Sequence, residues 1–188
     1  MLNSRAARLM AGTSRLFRNQ AAFRFDSDLT MKIAFANDHA GHSARAELLS
    51  ALERLGHEVI DFGAFDTESV DYPDFAEKAC REVAEGRADR AVLVCGTGQG
   101  MVIAANKMRG IRAARCLSVE DARLAASHNK ANAIALPGGW GRETPGLEGS
   151  LSAIVEAWLD TPFEGGKHQR RIEKIADLEA RASGEPLD

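Results

Sequence analysis

The sequence predicts an α/β fold, with five parallel strands in one sheet and helices on both of its faces. Two observations carry this. Short apolar runs alternate with longer amphipathic stretches from Met31 to Arg181, and such alternation calls for crossover helices rather than hairpins. The central run holds Val92, Leu93 and Val94 in succession, as a strand covered on both faces requires.

Each element follows from its local pattern. Residues 32–36 read as the first strand. Over 44–55, Ala44, Leu48, Leu52 and Leu55 share one helical face, and Gly56 stops that helix. A short strand at 58–61 and a loop at 63–71 lead to a helix over 74–85. The strand at 90–94 runs into the glycine loop "CGTGQG" (95–100), then an alanine-rich helix at 101–107 and a strand at 111–115. Ser118 and Asp121 have capping-box spacing and start a helix reaching about Ser127. A fifth strand at 133–136 precedes two closing helices, 147–159 and 167–181. Connections of this kind are right-handed βαβ units.

Composition narrows the function. The chain has 188 residues, 45% hydrophobic and 27% charged, with a formal net charge of -3. That suits one packed domain and excludes a disordered chain. Mild acidity speaks against a general nucleic-acid binder, which needs a basic stripe, and no apolar run is long enough for a membrane helix. The cysteines are Cys80, Cys95 and Cys116, odd in number and without CxxC spacing. This fits a reducing, cytoplasmic setting and offers neither a disulfide framework nor a metal site. In residues 1–30, five arginines precede the first acid, Asp26. Two readings stand for this basic leader: an organellar transit peptide, or an upstream start used in place of Met31, where "MKIAF" begins strand sequence at once. The domain proper is expected over 31–188.

Ligands of parallel sheets bind beyond the carboxyl ends of the strands. Three polar clusters are expected there or nearby: "NDHAG" (37–41), "CGTGQG" (95–100) and "SHNKAN" (127–132). Gly96, Gly98 and Gly100 are spaced GxGxG, which is neither a dinucleotide fingerprint nor a Walker loop. A cysteine phosphatase would carry an arginine where Met101 stands. What remains is a thiol, Cys95, beside backbone amides and the Thr97 hydroxyl. That set suits proton transfer next to a developing oxyanion. The plainer alternative is Cys95 as a buried filler. His128 is either a catalytic imidazole or a helix C-terminal cap. Asp38 and His39 either face a ligand or form a turn. His42 and His57 read as solvated surface. Lys167 and Arg171, four apart beside His168 and Arg170, form either a phosphate-binding face or a solvated one.

In order and wording, "KIAFANDHAG", "DYPDFA", "VLVCGTGQGMVIAANKMRGIRAA", "SHNKAN" and "AWLDTPFEGGKHQRRIEKI" resemble the type B ribose-5-phosphate isomerases, a family that includes the galactose-6-phosphate isomerase subunits. The resemblance implies a three-layer, Rossmann-like sandwich whose C-terminal helix reaches a partner protomer. It also implies an aldose–ketose isomerase for ribose 5-phosphate and ribulose 5-phosphate, without metal or organic cofactor. Cys95 would be the base, passing through an enediolate stabilised by Thr97 and the amides around Gly96, Gly98 and Gly100. His128, assisted by Asp38, would open the sugar ring. His39, Lys167 and Arg171 would hold the phosphate, and Tyr72, Asn106 and Asn129 would line the sugar. Active sites shared between protomers imply a homodimer or homotetramer. Some members replace the cysteine by a glutamate at the position of Met101, so this chain matches the cysteine branch. Three departures touch the substrate end: Lys130 where the family has an acid, Lys167 where it has an arginine, and the long "LPGGWGRETPG" stretch, which lacks a phosphate-binding arginine unless Arg142 replaces it. These leave a four- or six-carbon phosphosugar (erythrose, allose or galactose phosphate) as the alternative substrate. A non-catalytic phosphosugar-binding protein stands further off.

Overall fold

A computed structural model describes residues 30–182. The strands β1 (Lys32–Asn37), β2 (Glu58–Asp61), β3 (Arg90–Cys95), β4 (Ala113–Arg115) and β5 (Ala133–Pro137) form one sheet. Every pairing is parallel, and the order is β2-β1-β3-β5-β4. The helices are α1 (His42–Arg54), α2 (Tyr72–Ala84), α3 (Gln99–Ala105), α4 (Val119–Asn129), α5 (Leu151–Asp160) and α6 (Lys167–Ala182).

Side-chain alternation along the strands sorts the helices into two layers. On one face Ile33, Phe35, Val92, Val94, Ile134 and Leu136 pack under α1, α4 and α5. On the other, Ala34, Ala36, Ala91, Leu93, Ala133 and Ala135 let α2 and α3 approach closely. Cys95 belongs to this second, small-residue face. The chain leaves β1 toward β2 and later returns to β3 on the other side of β1. The carboxyl ends of β1 and β3 therefore flank a topological switch point, where such sheets open a crevice.

Several boundaries differ from expectation for local reasons. The α2 helix starts at Tyr72, because Pro73 is suited to a first turn whose N–H groups have no partner anyway. The α5 helix starts only at Leu151, where the Ser150 hydroxyl accepts from the Ala153 amide. Ser118 and Asp121 do form a reciprocal capping box on α4. An unexpected tight turn, Gly139–Gly141, follows β5.

Two histidines read as solvated surface are half-buried, and each has a backbone partner. A His42 ring nitrogen lies 3.2 Å from the Phe65 carbonyl oxygen. The His57 Nδ1 accepts from the Met31 amide at 3.3 Å, and burial holds that imidazole below its ordinary pKa. Cys80 and Cys116 are fully buried, and burial pushes both thiols up to about 12.

The α6 helix buries only His168. Farther along it, Ile175 and Leu178 are 41% and 61% exposed and border a cavity of about 460 Å³ between α6 and the body. The Glu179 carboxylate pins the far end by accepting from the Gly110 amide at 3.0 and 3.1 Å. Among the described residues no helix is long and apolar enough to cross a membrane. The leader expected over 1–30 lies, but for Thr30, outside the described residues.

Candidate active site

Cys95 is the last residue of β3, 5% exposed, and pairs with Pro137 of β5. The chain then turns through Gly98, whose φ of +76° lies in the left-handed region that glycine enters without a Cβ penalty. The other two glycines have a different reason. A Cβ on Gly96 would stand 2.3 Å from the Trp140 six-membered ring, and one on Gly100 would stand 2.8 Å from the Tyr72 ring. The loop is thus pressed flat between two aromatic side chains. Thr97 is exposed, and its hydroxyl oxygen accepts from the Gln99 amide at 3.3 Å, which leaves the hydroxyl hydrogen free to donate.

Beside it, Asp38 follows β1 with only 5% exposure. Its amide donates to the Val94 carbonyl at 3.0 Å, tying it to β3 next to the cysteine. Its Oδ1 accepts from the Gly41 amide at 2.8 Å. Burial raises the carboxyl above the ordinary aspartate value, against the lowering by that amide. His39 Nδ1 accepts from the Val70 amide at 3.3 Å. Asn37 is fully buried beneath them, donating to the Asp38 and Ala64 carbonyls and accepting from Arg45.

Trp140 went unnoticed in the sequence. It sits in the turn after β5 with φ +50°, and Gly139 and Gly141 on either side are also left-handed. Three amides staple this turn across the site: Gly138 to the Cys95 carbonyl at 2.7 Å, Gly139 to Gly96 at 2.9 Å, and Trp140 to Ala40 at 3.2 Å. The indole is nevertheless 59% exposed. An aromatic residue amid glycines after a buried strand was the available signal. Arg142 lies on the α1 side of the same loop, lining a cavity with Ser43, Glu47 and Thr144.

The remaining expected residues gather at the opposite edge of the sheet. The α4 helix returns antiparallel to the strands, so His128 in its last turn lies where β5 begins, not where it ends. In register, Cys95–Pro137 is four residues beyond Ala91–Ala133, so ~13 Å of strand separates the end of the sheet that carries the thiol from the end where α4 delivers His128. The expectation that "SHNKAN" joins the carboxyl-end crevice therefore fails within one chain. His128 instead stacks on His168, with ring centroids 4.1 Å apart and planes 9° apart. Glu164 approaches both imidazoles at 3.6 Å. This brings together a His, Glu and His group that sequence spacing did not reveal. Burial first, then His128 and the cations Lys167 and Arg171, hold the His168 pKa below its usual value, against the opposing pull of Glu164. Lys167, Arg171 and Asn129 are exposed at this edge. Asn106 is also here, but its amide group bonds the Val102 and Ala113 carbonyls and the Ala113 amide at 2.9–3.0 Å, so it serves the backbone. Lys130 caps α4 in the left-handed region, its ammonium 5.6 Å from the centre of the Phe163 ring.

Chemically, one edge offers a thiol, a buried carboxyl and an amide cradle; the other offers an imidazole pair and two cations. Comparison with known proteins gives this division a context. Residues 33–175 match the ribose/galactose isomerase family. Ribose-5-phosphate isomerase B of Escherichia coli is 43% identical over 150 residues, covering 80% of this chain and 97% of that one. The Clostridium thermocellum ribose-5-phosphate isomerase B structure aligns with TM-score 0.73 at 43% identity, covering 81% of this chain and 99% of that one. The Mycoplasma genitalium enzyme, solved with bound ribulose 5-phosphate, aligns with TM-score 0.71 at 36% identity over 79% of this chain and 95% of its own. With sequence and fold matching along nearly the whole length of these relatives, the chain is an isomerase and belongs to the ribose/galactose isomerase family.

Proposed function

We propose that this isomerase interconverts ribose 5-phosphate and ribulose 5-phosphate in a site completed by a second copy of the chain. The observation that carries the chemistry is Cys95 at the mouth of the amide-rich glycine loop, beside buried Asp38. The sugar phosphate is the chemistry of the relatives, and the three described above are all named for ribose 5-phosphate.

Turnover runs in three stages. His128 of the second copy takes the anomeric hydroxyl proton of the furanose and returns one to the ring oxygen, which opens the hemiacetal; Asp38 assists. The Cys95 thiolate then removes the C2 proton, and the electron pair moves through the C1–C2 bond onto the carbonyl oxygen as the enediolate forms. Loop amides and the Thr97 hydroxyl stabilise that oxygen. Finally Cys95 delivers the proton to C1 while a proton passes from O2 to O1, giving the ketose. Lys167, Arg171 and His39 hold the phosphate; Tyr72 and Asn129 flank the carbons. No metal or organic cofactor enters these steps.

The two-copy arrangement rests on the separation of the two residue sets within one chain. Exposed apolar side chains support it: Ile103 on α3, Leu124 on α4, and Ile175 and Leu178 on α6. These suit a homodimer or a larger even assembly, with α6 reaching the partner. Another phosphosugar remains the second reading, favoured by Trp140 occupying the long loop.

The experiment separates proton transfer from ring opening. Cys95→Ala is expected to lose ~10²-fold or more in turnover in both directions, as removal of a general base does, and to lose exchange of the carbon-bound hydrogen with solvent. His128→Ala is expected to slow turnover of the cyclic aldose phosphate while retaining that exchange from the open-chain ketose. Near-normal exchange in Cys95→Ala would assign the base elsewhere.

A further inference from the structure

Away from the thiol, three side chains converge in a way the isomerisation does not require. His128 comes from α4, while Glu164 and His168 are four apart across the start of α6. The Nε2 atoms of both imidazoles lie 3.6 Å from the same carboxylate oxygen, Glu164 Oε2. All three potential ligand atoms fall within 4.8 Å of one another. Glu164 is held in place from behind, its backbone amide donating to the Ser127 carbonyl at 3.0 Å. His168 is only 5% exposed, whereas the His128 side chain is 38% exposed and can move.

A tetrahedral zinc ion with ligand bonds of ~2.0–2.1 Å holds its ligand atoms roughly 3.4 Å apart. The two nitrogen–oxygen spacings here are already within a few tenths of an ångström of that edge. The stacked rings point their Nε2 atoms at the carboxylate side by side, so closing the third edge takes a tilt of the half-exposed His128 ring. Two imidazoles and one carboxylate, with a fourth position open to water, form a zinc ligand set; nitrogen donors disfavour magnesium and calcium.

We propose that His128, Glu164 and His168 form a binding site for a borderline transition-metal dication, zinc foremost, and that its occupancy blocks the isomerase. Binding stands on the geometry alone. The block rests on the ring-opening role given to His128, because a metal bond occupies the Nε2 lone pair that would carry the sugar's proton. Lys167 and Arg171 beside His168 repel a cation, so the site takes up metal only when free metal is abundant. It is an inhibitory site and not the seat of a resident cofactor.

The test uses the full chain, stripped with a chelator, and cobalt(II) as a spectroscopic probe. Titration is expected to develop the intense visible bands of a tetrahedral ion, saturating near one ion per chain at micromolar concentration, with zinc displacing the cobalt. His168→Asn and Glu164→Gln should each weaken binding by ~10-fold or more. Glu164 is exposed, so its variant keeps the test open if His168→Asn fails to fold. Absence of these bands, or equal affinity in Glu164→Gln, overturns the site. Zinc should also inhibit turnover of the cyclic aldose phosphate, reversibly on chelation, at the concentration that fills the site. The Glu164→Gln variant, measured against its own metal-free rate, should need correspondingly more zinc. Stoichiometric binding without inhibition overturns the block and the ring-opening role of His128, and leaves the metal site standing.

Discussion

Asp38 holds a carboxyl where burial disfavours its charge, which makes it a pH-dependent liability. Its folded-state pKa lies above the unfolded value. The stability it contributes is therefore fully present below the ordinary aspartate pKa of ~3.9 and is lost as pH rises through the raised value. At neutral pH the ionised group works against folding. Asp38→Asn keeps an oxygen acceptor for the Gly41 amide and removes the charge. Thermal melts should show a higher Tm than wild type at pH 7, with the gap closing as pH falls toward 4, while turnover of the cyclic aldose phosphate drops. Trp140 makes the opposite bargain, spending a left-handed backbone on an indole that faces solvent. If that ring covers the sugar, about 50 Å² of buried apolar surface at ~25 cal/mol per Å² is worth roughly a tenfold change in affinity. Trp140→Ala should raise KM by about that factor and leave Tm little changed, as steady-state kinetics and melting will read.

At the scale of elements, α6 has the least support of the helices, with one buried residue near its start and a carboxylate pin near its end. Its basic first turns are the part assigned to substrate. Arg171→Ala should raise KM for the phosphorylated sugar by ~10-fold or more, given ~1.5–3 kcal/mol for a charged hydrogen bond; unchanged constants would make this face mere surface. Elements were where sequence reading succeeded best. Strand runs such as Val92–Val94 and the Ser118 capping box depend on neighbours in the chain, so their period and caps are visible locally. The turn carrying Trp140 depends on Ala40, Cys95 and Gly96, residues far away along the chain. No local pattern announces three consecutive left-handed residues held by remote carbonyls. The starts of α2 and α5 slipped because Pro73 and Ser150 mark helix beginnings more strongly than apolar spacing does.

For the whole molecule, sheet direction decides what can meet. Cys95 and Asp38 were legible as neighbours, because one ends and the other follows a parallel strand, and both must emerge at one edge. His128 misled for the same reason in reverse: it ends a helix, and helices here run opposite to the strands. Its convergence with His168 and Glu164 was equally hidden, since two separate stretches supply it. The division has a consequence for inheritance. A strain carrying only the Cys95→Ala allele and one carrying only His128→Ala should each fail to grow where this reaction is essential, yet a diploid carrying both should grow. With the proposed pocket shared between two copies, both lesions in a mixed dimer fall in one pocket, and the other pocket is intact. With random pairing, half the dimers are mixed and half their pockets work, so co-expressed extracts should regain about a quarter of wild-type activity. Extracts that regain none would place thiol and imidazole in the same protomer's pocket.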